Sequence, residues 1–164
     1  MSRAGAALPT MTNTKIMTPS DIIRPRSIVR LAARSKAELF RELVHRAAEQ
    51  LALPEGLILE ALSRREALGS TGVGKGVAMP HAPVAGLTSP FGLLARLERP
   101  VAYEAIDGEP VDLVCLVLTP ENGGRGRIDA LACLARRLRS PDVCDRIRDA
   151  AGSEDIYAML LEDG

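Results

Sequence analysis

A chain of 164 residues with 46% hydrophobic residues is long enough for one domain with a proper core, short for two, and too apolar for wholesale disorder. Its 21 basic and 21 acidic residues balance to zero formal charge, which argues against nucleic acid as the main partner, because backbone phosphates reward a basic excess. Aromatics make up 2% with no Trp, so the core must be built from Leu, Val, Ile, Ala and Met.

Residues 1–18 read as a disordered leader, and residues 19–164 as the folded domain. Met1 to Met17 is Thr/Ala-rich and free of acid, faintly like a transit peptide; a leader or a misplaced start, with Met11 and Met17 as alternatives, is the simpler account. There is no secretory h-region, and no apolar run approaches the roughly 20 residues of a bilayer span, so membrane insertion is not expected.

Ser27-Ile28-Val29 reads as a first short strand. Ser35 and Glu38 form the pattern of a capping box, with Ser35 as N-cap and Glu38 reaching back. Behind it Leu39, Phe40, Leu43, Val44, Ala47 and Leu51 share one helical face, with His45 to the side, facing solvent. Pro54 suits the first turn of a second helix, with Leu57, Ile58, Ala61 and Leu62 turned to the core and an end before Gly69. Val77-Ala78-Met79 is a short strand leading to Pro80-His81, and Phe91 to Leu97 a further strand. Val111 to Leu118 is so continuously apolar that it predicts a strand covered on both faces.

The last third is helical. Ile128, Leu131, Leu134, Ala135 and Leu138 recur at helical spacing; Ser140-Pro141 ends that helix and starts one carrying Val143 and Ile147, which stops near Gly152. Ser153 caps a final helix with Ile156, Met159 and Leu160. The sum predicts a single-domain α/β sandwich with a central mixed β-sheet flanked by helices.

The three cysteines, Cys115, Cys133 and Cys144, form no Cys-x-x-Cys pair, and two histidines leave too few ligands for zinc. Buried reduced thiols fit a cytoplasmic protein. Neither a metal nor a cofactor is implied.

Gly69-Ser70-Thr71-Gly72-Val73-Gly74-Lys75-Gly76 nearly matches the nucleotide P-loop. The magnesium-binding hydroxyl is replaced by Gly76, and a helix precedes where a strand should, so no helix N-terminus waits for the phosphate. Four glycines in eight residues still let backbone N–H groups approach an anion, or simply make a tight helix-to-strand turn. Next comes His81, between Pro80 and Pro83 on stiffened backbone at a strand end and sheet edge. A neutral imidazole there is a competent phosphoryl acceptor, and equally a loop histidine that merely packs.

Arg65-Glu66-Ala67-Leu68 followed by Gly69 to Gly76 and Val77-Ala78-Met79-Pro80-His81 resembles the active-site signature of phosphotransferase-system IIA domains of the fructose/mannitol class, most closely their nitrogen-regulatory branch. Pro100 to Val114, with the Asp107-Gly108 turn feeding an apolar strand, resembles the family's second block, and the likeness spans roughly Ser20 to Leu161. The resemblance implies that His81 is phosphorylated, by a small histidine-phosphorylated carrier protein of the HPr type that draws on phosphoenolpyruvate. It also implies that Arg65 contacts the phosphoryl oxygens, with Thr71 and the N–H groups of Gly72, Gly74 and Gly76 as further donors. An exposed, idle arginine is the lesser alternative for Arg65, whereas a solvated lysine is the safer reading of Lys75. Val84, Leu87 and Phe91 fit an apolar docking rim or ordinary core packing equally well.

The family usually carries a second histidine at the start of a later helix. Arg127 stands there, permanently charged and unable to accept a hydrogen bond. Two functions follow: a phosphocarrier whose phosphorylation state controls partner proteins in a nitrogen-related phosphotransferase system, or a binding-only regulator that has lost productive transfer because of Arg127.

Overall fold

The computed structural model describes residues 16–162. The chain runs β1 (Ile23–Leu31), α1 (Lys36–Leu51), α2 (Glu55–Ala67), β2 (Gly72–Gly74), β3 (Val77–Ala78), β4 (His81–Val84), β5 (Phe91–Val101), β6 (Val111–Pro120), α3 (Arg125–Leu138), α4 (Pro141–Asp149) and α5 (Ser153–Leu161). The proposed leader lies outside the described residues as far as position 15; Met17 packs against the core.

β6 is the spine of a six-stranded mixed sheet of order β1-β5-β6-β3-β2, with β4 also paired to β6. Alternate β6 residues feed two cores. Val114, Leu116 and Leu118 meet Leu39 and Leu43 of α1 and Ile58 and Leu62 of α2. Leu113, Cys115 and Val117 meet Leu134 and Leu138 of α3, Ile147 of α4 and Leu160 of α5. Helices on both faces explain why β6 reads as unbroken hydrophobicity. Each of these leucines removes enough apolar surface from water to contribute about 1.5–3 kcal/mol before conformational entropy is counted.

β3 and β4 lie end to end along the same edge of β6, in one register: Val77 faces Leu113, Ala78 faces Val114 and His81 faces Val117, all parallel. β2 pairs with β3 alone, so β4 has no outer neighbour. His81 therefore opens a strand where the sequence reading ends one, although the edge position is as expected. An edge strand is where Pro83 is tolerated, its missing N–H facing away from the ladder.

Several local details depart from expectation. β1 is longer than Ser27–Val29. Ser35 Oγ accepts from Glu38 N at 3.1 Å, but the Glu38 carboxylate takes the N–H of Arg34, so the box is half-closed. Pro54 is the N-cap of α2, one place earlier than predicted, and Leu57 is exposed. Gly152, not Ser153, caps α5. On α3 the buried positions are Ala130, Leu134 and Leu138, while Ile128 is 67% exposed, in spite of its periodic spacing.

Candidate functional site

The residues between α2 and β4 form a β-hairpin, not a phosphate loop. Gly74 pairs with Val77, and the two residues between them, Lys75 and Gly76, have φ of 56° and 81°. Positive φ at both central positions is the primed turn that matches strand twist. Asp107 Oδ2 accepts from Lys75 N at 2.8 Å, and Arg148, paired with Asp112 at 3.0 Å, donates to the Lys75 carbonyl. Backbone hydrogen bonds from Lys75 N and then from Glu109 N, the latter to Asp107 Oδ1 at 3.1 Å, hold the Asp107 carboxyl below its usual pKa. Gly74 and Gly76 thus sit at the hairpin tip beside Asp107, Asp112 and Arg148, away from His81. Gly72 lies tight against Ala105, and its N–H donates to Ser70 Oγ. Thr71 is buried, and its hydroxyl lies 2.7 Å from Glu66 Oε2 and 2.8 Å from the Tyr103 hydroxyl. Thr71 lines the hollow beside His81, but its N–H and hydroxyl proton both go to Glu66, and the Gly72 N–H goes to Ser70 Oγ.

Arg65 is brought to His81. Its Nε donates to His81 Nε2 at 3.2 Å, and its Nη1 donates to the Gly69 carbonyl at 3.0 Å. The other ring nitrogen, Nδ1, is 2.9 Å from the Met79 carbonyl oxygen. A carbonyl only accepts and a guanidinium only donates, so both contacts demand the same tautomer: proton on Nδ1, lone pair on Nε2. The two side chains come from different layers. Strand alternation aims His81 toward α3, while Arg65 rises from α2; the missing outer neighbour of β4 lets Arg65 reach round the sheet edge.

Two hollows flank this contact and share Arg65. One, of about 430 Å³, is lined by His81, Arg65, Val73, Met79, Ile128 and Leu131, with Val73 and Ile128 exposed. The other, of about 480 Å³, runs between α2 and α3 and is lined by Arg64, Arg65, Leu68, Pro83, Glu121 and Arg127. Arg64 is paired with Glu60 at 2.6 Å. The Arg127 side chain has no hydrogen bond or ion pair among the described residues, and Arg65 has no carboxylate partner. α3 also begins with Arg125 and Arg127, no acid and no side-chain cap. Cations there oppose the helix dipole, at a cost of some 0.3–1 kcal/mol each. The apolar rim is thus Val73, Ile128 and Leu68; Val84, Leu87 and Phe91 belong to the core beneath. Lys75 is exposed, as is His45, whose Nδ1 meets Glu55 Oε1 at 2.6 Å.

A single family model matches residues 21–163, nearly all of the described chain: phosphoenolpyruvate-dependent sugar phosphotransferase system, EIIA 2. The chain belongs to that family. Among EIIA 2 relatives, the nitrogen regulatory protein of Bradyrhizobium diazoefficiens is 42% identical over 145 residues, covering 88% of this chain and 95% of that one. The crystal structure of nitrogen regulatory protein IIA-Ntr from Neisseria meningitidis superposes with a TM-score of 0.80 at 33% identity, over 85% of this chain and 96% of the other. The IIA mannitol component in its complex with phosphorylated IIB mannitol from Escherichia coli, 16% identical, shares the fold over 85% of this chain and 98% of its own, with a TM-score of 0.70. This EIIA 2 domain is therefore a homologue of the nitrogen regulatory IIA proteins, with their single-domain α/β architecture.

Glu66, Lys36, Tyr103 and the Met79 carbonyl were missed from the sequence. One signal was available: Glu66 is an acid in the last turn of a helix, where the dipole disfavours it. Its carboxylate pairs with Lys36 Nζ at 2.7 Å and accepts from Thr71 N at 3.0 Å. Burial pushes the Glu66 pKa up, but the hydrogen bonds from Lys36 and Thr71 outweigh it and leave it lowered. Burial likewise drives the Tyr103 phenol upward and the Cys115 thiol up to about 12, which makes that cysteine unreactive. Among the described residues no group of three His, Cys, Asp or Glu side chains comes together to hold a metal ion, and no helix is long and apolar enough to cross a membrane.

Proposed function

We propose that the protein accepts a phosphoryl group on His81 Nε2 from a histidine-phosphorylated carrier of the HPr type, and that its phosphorylation state governs its binding to partner proteins. The observation that carries this reading is the double restraint on the imidazole: Nδ1–H held by the Met79 carbonyl, lone pair at Nε2 beside a guanidinium.

In the transfer, the Nε2 lone pair forms a bond to phosphorus as the bond between phosphorus and the donor imidazole breaks, and the donor nitrogen keeps that electron pair. His81 retains its Nδ1 proton, and the positive charge arising on the ring is shared with the Met79 carbonyl. Arg65 Nε loses its acceptor when Nε2 is phosphorylated, and the same guanidinium turns its donors to the phosphoryl oxygens. A charge-assisted, forked contact of this kind suits an anion spread over several oxygens. Arg127, without a direct ion-pair partner among the described residues, lies across the cleft from Arg65 and adds fixed positive charge that favours the phosphorylated form, offset in part by Glu121 on the same lining. The exposed rim of Val73, Ile128 and Leu68 gives a carrier an apolar surface around a cationic centre.

Arg127 also favours a second reading, a regulator that binds partners without passing phosphate on, since an arginine cannot relay a proton as a second histidine would. Phosphorylation by phosphoenolpyruvate and the upstream carriers, followed by intact mass on wild type and His81→Ala, separates the two: an adduct on wild type alone supports the carrier, and none on either supports the binding-only regulator.

A further inference from the structure

The proposed transfer leaves unused a part-buried network that joins Thr71, on the lining of the hollow beside His81, to Glu66, the neighbour of Arg65 on α2. Lys36 Nζ meets Glu66 Oε1 at 2.7 Å, donates to the Tyr103 carbonyl at 3.2 Å and lies 4.3 Å from the centre of the Tyr103 ring. Glu66 Oε1 accepts from Thr71 N and Glu66 Oε2 from Thr71 Oγ1. Because the carboxylate only accepts, the Thr71 proton points to Glu66, and the Tyr103 hydroxyl must be the donor in its 2.8 Å contact with Thr71 Oγ1. Every proton in the chain is then fixed in direction, from Tyr103 through Thr71 to Glu66.

This network spans the two elements that make the site. Glu66 follows Arg65 on the last turn of α2. Thr71 lies on the strand side, and its carbonyl accepts from Met79 N at 3.0 Å; the Met79 carbonyl in turn takes His81 Nδ1–H. The covalent path from α2 to Thr71 runs through the exposed stretch Leu68 to Ser70, while Ile58 and Leu62 of α2 share a core with Ala82 and Val84 of β4; the Glu66–Thr71 contacts add a polar clamp at the end of the helix nearest Met79. We infer that Glu66 is a positioning residue: by clamping Thr71 to the end of α2 it holds Met79 and Arg65 in the relation that keeps His81 protonated on Nδ1 with Nε2 open to attack. A glutamine keeps these contacts only by reversing the chain: its Oε1 can take Lys36 and Thr71 N while its NH2 donates to Thr71 Oγ1, which turns the Thr71 proton to the Tyr103 hydroxyl, leaves the Tyr103 proton without its acceptor and removes the charge that Lys36 pairs with.

The structural part of this inference stands independently of phosphotransfer; only its effect on rate rests on the proposed function. The test is nitrogen NMR of histidine-labelled, unphosphorylated protein, in which His45 is the only other histidine and serves as an internal reference. Wild type and Thr71→Ser, which keeps the hydroxyl, are expected to show His81 almost wholly as the Nδ1–H tautomer. Glu66→Gln is expected to raise the Nε2–H form about tenfold, the scale of one lost hydrogen bond, and to slow phosphorylation. Thr71→Val, which removes the same contact from the other side, shifts the ring in the same direction and serves should Glu66→Gln not fold. A role in stability alone would lower the melting temperature and leave the tautomer unchanged. Folded Glu66→Gln or Thr71→Val with the wild-type tautomer ratio overturns the inference. A shifted tautomer in a protein whose wild type takes up no phosphate upholds the positioning role and refutes the carrier function.

Discussion

Arg65 and His81 meet across the edge of the sheet: a guanidinium from the helical layer on one face donates, at 3.2 Å, to the nitrogen of an imidazole that points toward the other. The contact exists because β4 has no outer strand, and it gives Arg65 a task at once before and after transfer. Arg65→Ala is expected to slow phosphorylation of His81 by about 10²-fold, the scale of losing one preorganised donor to developing charge. Arg65→Lys should recover part of that, because an ammonium supplies charge without the fork. Time courses of intact mass under a charged carrier measure both; an Arg65→Ala rate equal to wild type removes Arg65 from the site.

Arg127 should act on the product more than on attack. Arg127→Ala is expected to shorten the lifetime of the phosphoprotein, and Arg127→His to alter both the rate of phosphorylation and that lifetime. Decay of the phosphoprotein mass peak at fixed pH reads this. An Arg127→His variant with the parent's kinetics and lifetime would mean that the replaced residue has no part in the chemistry.

Much of this architecture was legible because its causes are local. Leu39, Leu43, Ile58 and Leu62 fall on helical stripes, β6 is apolar on both faces, and Pro80-His81 follows a run of family-specific residues. What misled were residues whose roles depend on distant partners. The glycines after α2 look like an anion cradle until Asp107 and Arg148, far along the chain, are seen to clasp the hairpin tip. Ile128 has core spacing but lies on the part of α3 that overhangs the open sheet edge, where there is no strand to cover it. No periodicity reports that Thr71 turns inward, because its partners Glu66 and Tyr103 are set by tertiary packing.

Gly72 should matter for packing and not for phosphate. A Cβ there would lie 2.7 Å from Ala105 Cβ and 2.8 Å from Ala105 Cα, and backbone cannot swing aside. Gly72→Ala is expected to cost about 1–3 kcal/mol of stability, the usual range for overpacking, seen as a lower midpoint in denaturant. A midpoint unchanged with phosphorylation lost would instead restore Gly72 as a phosphate contact.

The pair of His45 and Glu55 should leave a signature in pH. Its hydrogen bond and the nearby carboxylate raise the His45 pKa above 6.5 in the folded protein. The stabilisation it contributes is therefore fully present below pH 6.5 and fades as pH rises through the folded pKa. Both groups are exposed, so the effect is small and screened by salt. Titration of the His45 ring signals should give a pKa above 6.5 that falls to the ordinary value in Glu55→Gln; an unshifted wild-type value would show that the pair does not form in solution.

The most direct test of the central claim is to locate the phosphoryl group. Charged with phosphoenolpyruvate and the upstream carriers, the wild type should gain one acid-labile phosphoryl mass, with phosphorus coupled by NMR to Nε2 of His81, and His81→Ala should gain none. No adduct on wild type while the carrier is demonstrably charged, or an adduct that persists in His81→Ala, would contradict the account.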